Sequence, residues 1–151
     1  MTRREVLDYL IVIKRRLPLR KKIETKPSFL LNFRRFLKII KDHHRKYDGI
    51  DLILESNPEI LEAFHNDLKD FGSMKGRESK FCSEQILRLA LVKGVEGDPY
   101  REAIIRVDGS DFLRNFCRFG MGELPNFTFF CEALKCIKPE TLKAMNALLL
   151  K

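Results

Sequence analysis

The stretch Ser83–Leu134, SEQILRLALVKGVEGDPYREAIIRVDGSDFLRNFCRFGMGELPNFTFFCEAL, decides the fold of this chain. It begins with its most apolar helical segment, Ile86 to Val92, interrupted only by Arg88. A helix that is apolar on nearly all sides belongs in the middle of a bundle. Three breaks follow, at Asp98-Pro99, Asp108-Gly109-Ser110 and Pro125-Asn126. Each pairs a capping residue with a turn-former or with a proline suited to the first helical position. The spacing predicts a succession of short helices resembling a helix-turn-helix.

In this reading Ser83 caps the central helix, and Gly94 and Gly97 end it. Asp98 caps a helix running to about Val107, and Gly109 or Ser110 starts the next. There Phe112, Leu113, Phe116 and Phe119 face inward and Asp111, Arg114, Asn115 and Arg118 face outward. That outward set suits a helix entering a DNA groove. Gly120-Met121-Gly122 is a flexible break. Asn126 caps a segment carrying Phe127, Phe130, Cys131 and Leu134. Lys138-Pro139-Glu140 opens a last helix with Leu142, Met145, Leu148 and Leu149.

Upstream, Asn57-Pro58-Glu59 is a helix start: an N-cap, proline at the first position and an acid at the positive end of the dipole. Leu61, Phe64, Leu68 and Phe71 supply its buried face, and residues 72–80 form a polar linker. Thr2 and Glu5 fit a capping box before an apolar stripe of Val6, Leu10, Ile13 and Leu17, which Pro18 ends. A second helix is expected from Ser28 to about Lys46. On it Arg34, Lys38, Lys41 and Arg45 form a basic stripe about a quarter turn from the apolar face. Tyr47-Asp48-Gly49 reads as a turn and as the boundary between a basic helical arm (1–46) and the main body (47–151). No segment alternates with period two, so the fold expected is all-α, a compact bundle of seven or eight helices.

Charge is unevenly spread along the 151 residues. Residues 1–46 carry fifteen Lys/Arg against four Asp/Glu, a net of +11, while residues 47–80 carry four against eight. The remainder is nearly balanced, at ten against nine. A concentrated excess of that size attracts polyanions, and phosphate backbones are the commonest. A charged surface that keeps the chain soluble is the plainer alternative. Aromatic residues are mostly phenylalanine, with 12 Phe, 3 Tyr and no Trp, which suits core packing more than exposed base stacking.

No apolar run nears the roughly twenty residues needed to span a bilayer. Met1-Thr2-Arg3-Arg4 leads into an amphipathic segment rather than a leader-like apolar core, so no membrane partner and a cytoplasmic location are expected. Cys82, Cys117, Cys131 and Cys136 include no C-x-x-C pair, and the three histidines add no ligand spacing, so no metal and no cofactor are expected. The plain reading is reduced thiols packed as small apolar groups. Neither a phosphate-cradling glycine loop, a Ser/His/Asp set nor a usefully spaced carboxylate pair is present, so an enzyme is not expected.

The order of segments resembles the N-terminal domain of insertion-sequence transposases of the DDE type. The matching residues are Glu84-Gln85-Ile86-Leu87-Arg88, Tyr100-Arg101-Glu102-Ala103, Ser110 through Phe116, Pro125-Asn126-Phe127-Thr128, and Glu140-Thr141-Leu142 through Asn146-Ala147-Leu148-Leu149. Asn57-Pro58-Glu59-Ile60-Leu61 looks like the segment preceding that domain, so the likeness covers about residues 50–151. It implies double-stranded DNA binding at transposon ends. It also implies that the strand-rich catalytic domain with its three carboxylates lies outside this chain, a truncated transposase without strand transfer of its own. Arg114, Asn115 and Arg118 are the candidates for base edges, and Arg101 and Arg106 for phosphates. Lys14, Arg15, Arg16, Arg20, Lys21, Lys22, Arg34, Lys38, Lys41 and Arg45 would supply the sequence-independent attraction. For each of these cations taken singly, an ordinary surface charge is the plainer reading. The alternative function is a helical interaction protein or inhibitor. It would pair with a full-length transposase, or with a second copy of the chain, through exposed Leu142, Met145 and Leu149.

Overall fold

The computed structural model describes residues 22, 38–69, 71 and 79–149. Among them are seven helices and no strand: α1 (Lys38–Ser56), α2 (Pro58–Leu68), α3 (Ser83–Glu96), α4 (Tyr100–Asp108), α5 (Asp111–Phe116), α6 (Phe127–Lys135) and α7 (Pro139–Leu149). The all-α bundle read from the sequence is the observed architecture. The expected Thr2–Leu17 helix, the first part of the Ser28–Lys46 helix and most of the polar linker lie outside the described residues.

Helix α3 occupies the centre. Ile86, Leu87, Leu89, Leu91 and Val92 are all buried, and the helix packs on α2, α4 and α6. Each large aliphatic side chain so enclosed contributes about 1.5–3 kcal/mol. Around it, α1 packs on α2, α5 and α7, α2 on α7, and α4 on α5 and α6. Phe64, Leu68, Val107 and Phe130 close the core from α2, α4 and α6. No described helix is long and apolar enough to cross a membrane.

Several helix ends differ from the sequence reading. The N-cap of α3 is Cys82, whose N–H donates to Gln85 Oε1 at 3.0 Å. Ser83 is buried and its hydroxyl instead meets His65 Nδ1 at 2.8 Å. Helix α3 runs through Gly94 and stops at Gly97, whose φ of +71° is the left-handed cap glycine adopts at little cost. Asn57 precedes Pro58 as expected, but its side chain turns back and donates to the Ile53 carbonyl at 2.7 Å, finishing α1 rather than starting α2. Helix α4 begins after Pro99 with no side-chain cap, because Asp98 is drawn to Arg106. Ser110 and Asn126 do cap, accepting from Leu113 N at 3.3 Å and Phe129 N at 2.8 Å.

The start of α7 is capped from another helix. Asp67 of α2 accepts from Lys138 N at 3.0 Å and from the Thr141 hydroxyl at 2.7 Å. Burial works to raise the Asp67 carboxyl, but these hydrogen bonds and the Lys138 charge prevail and hold it below the usual aspartate range.

The turn expected at Tyr47-Asp48-Gly49 is absent. Helix α1 continues unbroken for 19 residues, and Tyr47 is 1% exposed, beneath Phe116 and against Glu96. A boundary between residues 46 and 47 would fall inside one continuous helix. His43 and Lys46, on the supposed arm side, both reach Glu96 of α3. The local signals for a turn were outweighed by the burial of Tyr47 and by this carboxylate.

Candidate nucleic-acid interface

Of the fifteen side chains proposed for DNA, Lys14, Arg15, Arg16, Arg20, Lys21 and Arg34 lie outside the described residues. Lys22 pairs with Glu62, and its carbonyl accepts from Glu84 N at 3.0 Å. Lys38, Lys41 and Arg45 lie along one side of α1 and are exposed, with Arg45 only 3.4 Å from Asp42 on its own helix. At spacings of three and four residues their Cβ atoms are neighbours on the helix surface. This part of the basic stripe is therefore presented to solvent as the periodicity implied.

The arginines of the central stretch are placed differently. Arg106 makes a two-pronged pair with Asp98, at 2.5 and 3.0 Å, and this hydrogen bonding raises its pKa while lowering that of Asp98. Arg114 bridges Asp108 at 3.1 Å and the Gly122 carbonyl at 3.2 Å. Arg118 lies past the end of α5, in a left-handed conformation with φ of +62°, and its guanidinium sits between Asp51 at 3.6 Å and Glu84 at 3.7 Å. Asn115 is half-buried in a cleft against α1. Arg101 is exposed, with its guanidinium over the Phe127 ring at 4.6 Å. Helix α5 has only six residues; of its outward row Asp111 is exposed, Arg114 is paired with Asp108, and Arg118 falls beyond the helix end, beside Asp51 and Glu84.

Two charge clusters were not expected from the sequence. The first centres on Arg88, only 2% exposed. It reaches Asp51 of α1 at 2.6 Å, Glu84 at 2.9 Å and the Phe116 carbonyl at 3.2 Å, and it lies over the Phe116 ring. Asp51 Oδ1 is sealed from solvent and no N–H points squarely at it, so this contact is an ion pair rather than an aligned hydrogen bond. A lone arginine inside an apolar helix, four residues after Glu84, was the available sequence signal. Nothing local pointed to Asp51.

The second cluster centres on Glu96, which accepts from Tyr47 Oη at 2.6 Å and lies 3.1 Å from Lys46 and 3.2 Å from His43. Burial works to raise the Glu96 carboxyl, yet the Tyr47 hydrogen bond and the Lys46 charge overcome it and bring it down to about 2. Burial and the same hydrogen bond push the Tyr47 phenol well above its ordinary range. His44, next along α1, stacks on Phe112 at 3.6 Å, and burial with the neighbouring His43 lowers its pKa.

The thiols behave only partly as expected. Cys82 and Cys117 are buried, and burial drives the Cys117 thiol upward, but Cys131 is half-buried and Cys136 is exposed. Among the described residues no three His, Cys, Asp or Glu side chains gather as a metal site. The Ser83 hydroxyl that meets His65 belongs to a fully buried residue. Comparison with family models, curated proteins and solved structures finds no match to this chain.

Proposed function

We propose that this chain is a helical DNA-binding module that holds the phosphate backbone of double-stranded DNA along α1 and the basic stretch before it. The resemblance supports a role as the N-terminal part of an insertion-sequence transposase at transposon ends, without strand transfer of its own. One observation carries the phosphate reading: Lys38, Lys41 and Arg45 stand exposed on one side of α1, Arg45 in only a long, solvent-exposed contact with Asp42, whereas Arg88, Arg106 and Arg114 are closely paired with carboxylates of the fold. Cations already matched to carboxylates release few counterions on meeting DNA, so the attraction belongs to α1.

The test is fluorescence anisotropy with labelled duplex DNA over a range of salt concentrations. If about six cations neutralise phosphates, log K falls with log salt at a slope near −5. Replacing Lys38, Lys41 and Arg45 together by alanine is expected to make the slope shallower by about 2.7. Arg106→Gln is expected to leave it unchanged. A flat salt response of the unaltered chain would refute the proposal.

The alternative of an interaction protein pairing through α7 finds less support. Met145 is 6% exposed and packs in the core with Leu148 and Leu149 against it, leaving Leu142, 41% exposed, as the one outward member of the three proposed anchors.

A further inference from the structure

Where α1 meets α5 the surface opens into a cleft of about 240 Å³. That is below the ~300 Å³ at which drug-sized sites begin, so it suits one small ring system. Its floor is a prebuilt aromatic cluster: Tyr47 and Phe116 meet edge to face at 4.9 Å, and Phe112 stands over Tyr47 at 5.9 Å as the wall. Stacking of His44 on Phe112 at 3.6 Å fixes that wall. The rim is polar, with Asp48 and Asp51 from α1 and Asn115 and Arg118 from the α5 side.

Two features of the rim are unusual. Arg118 adopts a left-handed backbone that disfavours any side chain, at a helix end where glycine would be unstrained. Such strain concentrates at sites where a particular side chain is required. Its guanidinium is held by carboxylates at 3.6 and 3.7 Å, longer than a hydrogen bond, which leaves its N–H groups at the cleft mouth with capacity to donate. The carboxylate of Asp48 is exposed and lies one helical turn beyond Arg45 of the phosphate-facing stripe.

Resting on the phosphate reading of α1, we propose that this cleft is a receptacle for an unpaired guanine base, one in a single-stranded segment or turned out of the duplex stack. A carboxylate is an acceptor-only group, and guanine alone among the common bases offers adjacent ring and exocyclic N–H donors on one edge. Its remaining edge carries O6 and N7, the pair that an arginine fork matches. Asp48, from α1, and Arg118, from beyond the end of α5, both line the cleft and supply these two complements. Adenine and cytosine would set a ring nitrogen lone pair against the carboxylate, and thymine would set carbonyls there. The two carboxylates repel phosphate from the slot, while Lys41 and Arg45 on the adjoining side of α1 attract it. Base inward and phosphate outward is the orientation this charge pattern favours. A cationic peptide side chain would suit the carboxylates but would be repelled by the same stripe.

The experiment is amide-resolved NMR of the full ¹⁵N-labelled chain titrated with guanosine, adenosine, cytidine and uridine. Guanosine is expected to give saturable shifts at Asp48, Asn115 and Arg118, with no comparable response to the others. Asp48→Asn, an exposed change that leaves the core untouched, is expected to weaken guanosine at least about tenfold while leaving α3 resonances in place. No saturable shift at the cleft, equal shifts with adenosine, or unchanged affinity in Asp48→Asn would overturn the proposal. A thymidine oligonucleotide with one guanine is then compared with the all-thymidine strand. Tighter binding of the former locates the base in a strand, and equal binding with guanosine still seated assigns the cleft to a free guanine nucleoside. Guanosine carries no phosphate, so its failure to bind and a flat salt response with duplex DNA are separate outcomes.

Discussion

Replacing Arg88 by methionine tests whether the buried guanidinium is the internal fastener of the bundle. Methionine keeps much of the apolar stem, so little cavity is left and the loss is electrostatic. Three groups lose their nearest cationic donor: Asp51 Oδ1, sealed from solvent, Glu84, and the Phe116 carbonyl, with Arg118 left beside the two acids only at 3.6 and 3.7 Å. Removing one member of a buried pair typically costs 3–5 kcal/mol, because the other charge stays buried and uncompensated. Here Arg118 and the partial exposure of Asp51 soften that loss, so about 3 kcal/mol is expected, a large share of the roughly 5–15 kcal/mol by which a domain is stable. With a urea slope of about 2 kcal/mol/M, the unfolding midpoint followed by far-ultraviolet circular dichroism falls by about 1.5 M. A further variant, Arg88→Met with Asp51→Asn and Glu84→Gln, removes the stranded charges and is expected to recover half the loss or more. A cost below about 1 kcal/mol for Arg88→Met, or no recovery on neutralising the two acids, would show that Arg88 is not the fastener of the bundle.

Two further expectations concern the other clusters. The Glu96 carboxyl is lowered from 4.5 to about 2, so its contribution is fully present above about pH 4.5 and is lost as pH falls toward 2. That shift corresponds to about 3 kcal/mol, so the difference in urea midpoint between the unaltered chain and Glu96→Gln should be wide at neutral pH and shrink on acidification. A constant gap would refute it. Asp67→Ala removes the cap on α7 and is expected to cost about 1 kcal/mol, or about 2–4 °C in Tm, with faster amide exchange in the first turn of α7. Because Asp67 is also held below its usual range, this cap too is present above that range and lost as pH falls through the lowered value.

The sequence made the helices of the second half legible because their signals are local. An apolar run from Ile86, a proline after Asn57, and Ser110 and Asn126 three residues before an orphan N–H all act within one turn of the backbone. What it misplaced depended on partners far along the chain. Asp98 had the position of a cap and was taken by Arg106, eight residues on. Ser83 had the position of a cap and was taken by His65, across the fold. Tyr47-Asp48-Gly49 had turn composition, yet burial of Tyr47 under Phe116 and its bond to Glu96 made continued helix the lower state. The arginines of the central stretch were correctly identified as cations, but whether a cation faces solvent or a carboxylate is decided by packing. The Asp48–Arg118 cleft was illegible for the same reason: its two sides are about seventy residues apart and meet only when α1 lies against α5.

The continuity of α1 changes how force and orientation pass through this molecule. Its 19 residues form a rod about 28 Å long, gripped at one end by the core and cationic at the other. A polyanion seated on Lys38, Lys41 and Arg45 would engage the same rod that anchors Tyr47 and Ile50, with no hinge between them. Docking would fix the bearing of the whole bundle at little further cost in orientational freedom. Cutting the chain after residue 46 would remove the cations together with two of the three side chains holding Glu96. Charge and stability in this protein are therefore separable by substitution but not by truncation.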